Sequence, residues 1–196
     1  MSTGENGISP RTLLTAANLL TCLRFVLTIP FLYLVLRGRY DIALAIFLVA
    51  GLTDFADGYV ARRYNQGSGL GRLLDPLADK FLTTSAFVVM AVPHSGFPSI
   101  PTWLAGVVVA RDVVIVLGAL GVYMLTRFRD FSPTMSGKIT TLAELALITA
   151  FLLFHTAGRF TFLLPFGYAI VVVCVVISGT EYLARGLQVL VGHRRT

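Results

Sequence analysis

Three features of this sequence predict an all-α, polytopic integral membrane protein with about six transmembrane helices and both termini cytoplasmic: its hydropathy, the length of its apolar runs and the uneven placement of its Lys and Arg residues. Of 196 residues, 56% are hydrophobic and 13% charged. Mean hydropathy is +0.79, far above that of a water-soluble domain. Several apolar stretches approach the roughly 20 residues that cross a bilayer as helix. The chain therefore reads as one transmembrane domain over residues 1–196, with 1–11 a short cytoplasmic tail lacking the pattern of a cleavable signal. Net charge is +6, but the basic residues flank apolar spans, where they meet anionic headgroups. The partner is membrane lipid, and no nucleic acid is expected.

Helix one is predicted over Thr12–Leu36, opened by Ser9-Pro10, with Pro30 removing an amide from its middle. Arg37-Gly38-Arg39 turns the chain into a second helix, Asp41–Tyr64, which is apolar first and polar in its last third. After the turn Asn65-Gln66-Gly67-Ser68-Gly69, a third helix covers Leu73–Val92 and stops at Pro93. A fourth covers Thr102–Thr126 behind Pro101, a fifth Ser136–His155 after the loop at Pro133, and a sixth Phe160–Val191 beyond Gly158. Cys22 and Cys174 lie in apolar segments without a CxxC pattern, which speaks against a disulfide framework or a zinc site.

Alternate loops differ sharply in basic residues. One side carries Arg11, Arg62, Arg63, Arg72, Lys80, Arg127, Arg129, Lys138, Arg185, Arg194 and Arg195; the other has Arg37, Arg39 and Arg159. The positive-inside rule puts the first side in the cytoplasm. At about 1.5 Å per residue, Asp54 then lies roughly 20 Å into helix two, near the inner headgroup layer, where a soluble nucleotide has access.

The chemistry concentrates in Asp54-Phe-Ala-Asp57-Gly58-Tyr-Val-Ala61-Arg62, followed after eight residues by Gly71-Arg-Leu-Leu-Asp75-Pro-Leu-Ala-Asp79. On a helix Asp54, Asp57, Gly58, Ala61 and Arg62 fall within about 140° of one face. Asp75 and Asp79, one turn apart, share a face of the next. Four carboxylates at a bilayer edge repel one another and resist desolvation unless cations neutralise them. Oxygen-only ligands suit Mg²⁺, Mn²⁺ or Ca²⁺, and two ions about 4 Å apart can clamp a phosphoryl group undergoing in-line displacement. Gly58 and Ala61 leave room for a flat base and ribose, and Arg62 can neutralise a phosphate beside them. A structural alternative has Asp54 and Asp57 pairing with Arg62 and Arg63 across the lipid boundary; it leaves the spacing of the second acidic pair unexplained.

All eight specified positions match, in register, the signature D-x2-D-G-x2-A-R-x8-G-x3-D-x3-D. On these residues the chain resembles the CDP-alcohol phosphatidyltransferase family, and the likeness extends to Asn18-Leu-Leu-Thr21-Cys-Leu-Arg24. The resemblance implies that Asp54, Asp57, Asp75 and Asp79 hold two divalent ions, Mg²⁺ or Mn²⁺, with Asp79 also the general base. It implies that Asn18, Arg24, Asp54, Gly58, Ala61, Arg62 and Gly71 receive the CDP moiety of CDP-diacylglycerol, that an acceptor hydroxyl displaces CMP at the cytoplasmic face, and that the chain forms a homodimer. His94, His155 and His193 stand away from the acidic motif, and neither Cys has a charged neighbour, so no covalent nucleophile is expected.

Later helices carry Arg111-Asp112, Lys138, Glu144, Glu181 and Arg185. Arg111 and Asp112 can pair inside the bundle, and Lys138 and Arg185 can snorkel to the headgroups. The functional reading joins Arg111, Lys138 and Arg185 into a basic pocket for an acceptor phosphate. That pocket favours glycerol 3-phosphate; Arg111-Asp112 and Ser136-Gly137-Lys138 resemble the branch of the family using it, and they resemble the cardiolipin-forming branch too, as does the tail from Ser178 to Leu190. The alternative is the cardiolipin-forming branch, with phosphatidylglycerol as acceptor. An ion- or proton-coupled transporter also uses intramembrane carboxylates, but gives no reason for the eight-residue gap or the paired small residues.

Overall fold

The computed structural model describes residues 16–64, 71–93, 98–126 and 134–193; within them, the side chains of 16–22, 24–25, 53–64, 71–79, 119–126, 187 and 189–193 are not described. Among the described residues there is no strand. Six helices follow one another: α1 (Ala16–Leu36), α2 (Tyr40–Tyr64), α3 (Gly71–Ala91), α4 (Thr102–Thr126), α5 (Met135–Ala157) and α6 (Leu164–His193), with a 3-10 turn at Thr161–Leu163 before the last. Each lies within a few residues of its predicted span, and α1 runs unbroken through Pro30, which faces outward.

The chain divides into two compact units, 1–85 and 86–196. In the first, α1 ends in a left-handed turn at Gly38, φ 66°. Arg39 N–H there bonds the Leu34 carbonyl at 2.9 Å and Gly38 N–H the Val35 carbonyl at 3.0 Å, satisfying carbonyls the helix end would otherwise leave unpaired. The turn folds α2 back on α1. Thr28, Phe31 and Val35 are buried on α1, and Ala43, Phe47 and Ala50 on α2. Phe31 and Phe47 meet with ring centroids 5.6 Å apart.

In the second unit α6 is the common partner of α4 and α5. The α5 and α6 helices run antiparallel: Thr134 lies by Tyr182, the Thr140 hydroxyl donates to the Cys174 carbonyl at 3.0 Å, and Leu147 lies against Gly167. A Cβ on Gly167 would come within 2.9 Å of Leu147 Cδ1, so the leucine side chain packs into the space this glycine leaves. The core is Leu147, Ile148, Phe151 and Leu152 of α5 with Leu164, Val171 and Val175 of α6. Helix α5 closes on Gly158, φ 62°. Phe160 is also left-handed, φ 64°, which interrupts the helix predicted to start there and places a 3-10 turn first. Pro165, in the first turn of α6, gives up an amide that has no helical partner in any case.

Among the described residues two segments are long and apolar enough to cross a membrane, Met135–Ala157 and Thr161–Gly186, and only 22% of the second's apolar window is buried. The outward face of α6 is a stripe of Phe166, Ile170, Val173 and Ile177, each more than half exposed. A continuous apolar stripe of that kind is matched to hydrocarbon rather than water. Shorter apolar helical segments occur at Val26–Leu36, Tyr40–Leu52 and Lys80–Ala91.

Candidate active site

The acidic motif falls on two successive helices. Asp54, Asp57, Gly58, Ala61 and Arg62 lie in the last part of α2, and Gly71, Asp75 and Asp79 in the first part of α3. The predicted helical register of the motif is therefore met by the backbone. Asn18 and Arg24 lie in α1. The side chains of all ten lie outside the described residues, and their assigned roles rest on the sequence. The same holds for the side chains of Cys22 and His193 and for His94. Among the described residues no group of three or more His, Cys, Asp or Glu gathers as a metal site.

In the second unit the side chains of Arg111, Lys138 and Arg185 are among the described residues. Arg111 of α4 is only 8% exposed. Its Nη1 pairs with Asp112 Oδ1 at 2.8 Å, its Nη2 donates to Ser178 Oγ of α6 at 2.5 Å, and its guanidinium stands 6.0 Å from the centroid of the Tyr182 ring. The intrabundle pairing foreseen as one reading of Arg111-Asp112 is thus present, and Ser178 joins it. A buried guanidinium needs such partners, because desolvating an unpaired charge costs several kcal/mol, on the order of what a single buried ion pair returns.

Arg185 sits one turn beyond Glu181 and pairs with its Oε1 at 2.7 Å; the other carboxylate oxygen accepts from the Ser136 hydroxyl of α5. Lys138, in the first turn of α5, is exposed, and its backbone N–H bonds the Thr134 carbonyl at 3.2 Å. It lies roughly a third of a turn from the face that α5 buries. Arg111 and Arg185 are therefore brought together along one edge of α6, whereas Lys138 stands to the side of it.

Two residues that motif reading passed over organise this region. Thr134 caps α5: its backbone is extended (φ −72°, ψ 155°) and its Oγ1 accepts the Gly137 N–H at 3.0 Å. The Tyr182 hydroxyl accepts the Thr134 N–H at 3.4 Å. A Thr just ahead of an apolar run is a legible cap signal. Ser178, Glu181, Tyr182 and Arg185 recur at i, i+3, i+4 and i+7, a polar stripe on one face of α6 that runs from buried Ser178 to exposed Arg185.

His155 Nδ1 lies 2.7 Å from the Phe151 carbonyl and its ring meets that of Phe151 at a 45° tilt, centroids 4.3 Å apart, a structural placement, and Cys174 is a free thiol.

The sequence pattern of the CDP-alcohol phosphatidyltransferases matches this chain over residues 14–180. The chain belongs to that family. As a CDP-alcohol phosphatidyltransferase it is an enzyme of phospholipid biosynthesis, and the match spans α1 to most of α6. Among similar proteins is the CDP-diacylglycerol--glycerol-3-phosphate 3-phosphatidyltransferase of Aquifex aeolicus, 30% identical over 88% of this chain and 96% of that protein. The protein of the same name from Pseudomonas fluorescens is 34% identical over 80% of each chain. The Cardiolipin synthase (CMP-forming) of Rattus norvegicus is 32% identical over 69% of this chain and 49% of that protein.

Proposed function

We propose that this phosphatidyltransferase moves the phosphatidyl group of CDP-diacylglycerol to glycerol 3-phosphate, giving phosphatidylglycerophosphate and CMP. The observation that carries the reading is the complete acidic signature, in helical register on α2 and α3, inside a family match of residues 14–180. The choice of acceptor is supported by relatives named for glycerol 3-phosphate that align over most of both chains. It is supported as well by the cationic side chains Arg111 and Arg185 on one seam with Lys138 nearby.

Asp54, Asp57, Asp75 and Asp79 form a donor set of hard carboxylate oxygens, which fits two divalent ions of the Mg²⁺ or Mn²⁺ type. When bound, such ions offset the negative charge that builds on the phosphate oxygens and the leaving CMP. Gly58 and Ala61 give the cytidine and ribose space against α2, Arg62 pairs with the diphosphate, and Asn18, Arg24 and Gly71 complete the nucleotide side. Asp79 accepts the proton of the acceptor hydroxyl as its oxygen attacks the phosphorus bearing diacylglycerol. The bond to the bridging oxygen breaks, and CMP departs with that oxygen. No covalent enzyme intermediate is required.

The topology proposed with this chemistry is six membrane crossings in a single domain, both termini and the acidic motif cytoplasmic, assembled as a homodimer. Lys and Arg asymmetry and the exposed apolar stripe of α6 support the membrane part of it. A second reading, cardiolipin formation from phosphatidylglycerol, is favoured by the similarity to the rat protein. Supplying CDP-diacylglycerol with each acceptor separately, in detergent with Mg²⁺ or Mn²⁺, tests the choice: phosphatidylglycerophosphate by mass spectrometry supports the first reading. Cardiolipin from phosphatidylglycerol, with glycerol 3-phosphate inert, replaces it with the second. Absence of CMP release with every acceptor overturns both readings of the acceptor.

A further inference from the structure

Helix α6 carries Arg185 and touches both helices that carry the other candidate acceptor cations, and two adjacent residues, Glu181 and Tyr182, take part in those contacts. Glu181 accepts from the Ser136 hydroxyl of α5 on one carboxylate oxygen and from Arg185 on the other. Tyr182 accepts the Thr134 N–H on its hydroxyl, while its ring lies beneath the Arg111 guanidinium of α4. The fit on the α5 side is close. A Cβ added to Gly137 would stand 3.1 Å from Thr134 Oγ1 and 3.3 Å from the Tyr182 hydroxyl, so a side chain at 137 requires Thr134 or Tyr182 to give by a few tenths of an ångström, at the contact that Tyr182 makes with the start of α5. Thr134 is 1% exposed, and removal of the Tyr182 hydroxyl strands its N–H in a buried position.

From this convergence we infer that Glu181 and Tyr182 form a positioning clamp that sets the first turn of α5 against Arg111 and Arg185, and thereby fixes the arrangement of the proposed acceptor-phosphate cations within the second unit. The inference rests on the proposed acceptor role of Arg111, Lys138 and Arg185. Neither clamp residue belongs to the acidic signature, and both lie past residue 180, where the family match ends. The clamp is separate from what holds the bundle together: the apolar core of α5 and α6 lies further along, at Leu147, Phe151, Leu164 and Val171. Disturbing the clamp therefore shifts cations relative to one another without emptying the core. Arg185, half exposed at 52%, keeps other guanidinium N–H groups for an anion while Glu181 restrains one; a restrained cation loses less conformational freedom on binding.

The test is steady-state kinetics of the full-length protein in detergent, varying glycerol 3-phosphate and CDP-diacylglycerol in turn. Tyr182→Phe and Ser136→Ala each raise the KM for glycerol 3-phosphate by about three- to tenfold and leave the KM for CDP-diacylglycerol unchanged. Gly137→Ala has the same effect, and combined with Tyr182→Phe it is no worse than the more impaired single variant, because both release one contact. An unchanged KM for glycerol 3-phosphate in all three, or a parallel rise for both substrates with a lower unfolding temperature, overturns the clamp. Lys138→Ala, measured alongside, separates the two levels. If it raises the acceptor KM while the clamp variants do not, the clamp alone is wrong; if Lys138→Ala has no effect, the acceptor pocket fails and the clamp with it.

Discussion

Arg111 of α4 and Ser178 of α6 are joined by a hydrogen bond of 2.5 Å from Nη2 to Oγ, in a region where Arg111 is 8% exposed. Asp112 supplies the compensating charge at 2.8 Å. The two partners do unequal work, and their removal separates them. Ser178→Ala takes away one neutral acceptor and is expected to lower stability by about 1–2 kcal/mol, as interhelical polar contacts in membranes do. Asp112→Ala leaves a buried guanidinium without its counter-ion and is expected to cost about 3–5 kcal/mol. Thermal unfolding in detergent checks the order; equal losses would mean that the charge is carried elsewhere.

The acidic residues are expected to divide by role. Asp79→Asn removes turnover while substantial binding of CDP-diacylglycerol remains, because a base acts only in the chemical step. Asp54→Ala and Asp57→Ala lose metal-dependent nucleotide binding as well. Nucleotide binding by calorimetry alongside CMP release distinguishes them, and near-normal turnover in Asp79→Asn removes the base assignment.

Chelation offers a test independent of mutagenesis. EDTA is expected to abolish CMP release, with Mg²⁺ or Mn²⁺ restoring it, since the proposed set of four carboxylates would repel a diphosphate without cations between. Full activity in EDTA after dialysis would exclude the two-ion site.

Orientation follows from the distribution of basic residues. In a Cys22→Ser, Cys174→Ser background, Ser68→Cys is expected to react with an impermeant thiol reagent only when the cytoplasmic face is open, and Ser95→Cys only from the opposite face. Labelling at position 68 from outside inverts the topology and closes the proposed route for the nucleotide.

Lys138→Ala is expected to raise the KM for glycerol 3-phosphate far more than that for CDP-diacylglycerol, with stability unaffected because the side chain is exposed. Equal effects on the two substrates would separate Lys138 from the acceptor.

Helix positions were legible in the sequence because each is bounded by local chemistry: Arg37-Gly38-Arg39 between α1 and α2, Pro101 before α4 and Gly158 after α5. Apolar length and turn residues act within a few positions of one another, so periodicity alone suffices. The acidic signature was legible for the same reason, since Asp54 to Arg62 and Gly71 to Asp79 are each a few turns of one helix. The start of α6 was not. Phe160 takes a left-handed conformation that its residue type disfavours.

What the sequence by itself determined, then, is the helical membrane-like character of the chain, the family chemistry and the identity of its candidate acids and bases, all of them properties of residues near in order. The tertiary structure alone decided which polar residues meet. Arg111 and Ser178 are 67 positions apart, Thr134 and Tyr182 are 48 apart, and Ser136 and Glu181 are 45 apart. No local pattern encodes such pairs. They follow from the antiparallel register of α5 on α6, along which Leu147 packs at Gly167, and from the placement of α4 on the same central helix. A single turn of slip along α6, about 5.4 Å, would carry Tyr182 away from Thr134 and leave every helix and every motif unchanged.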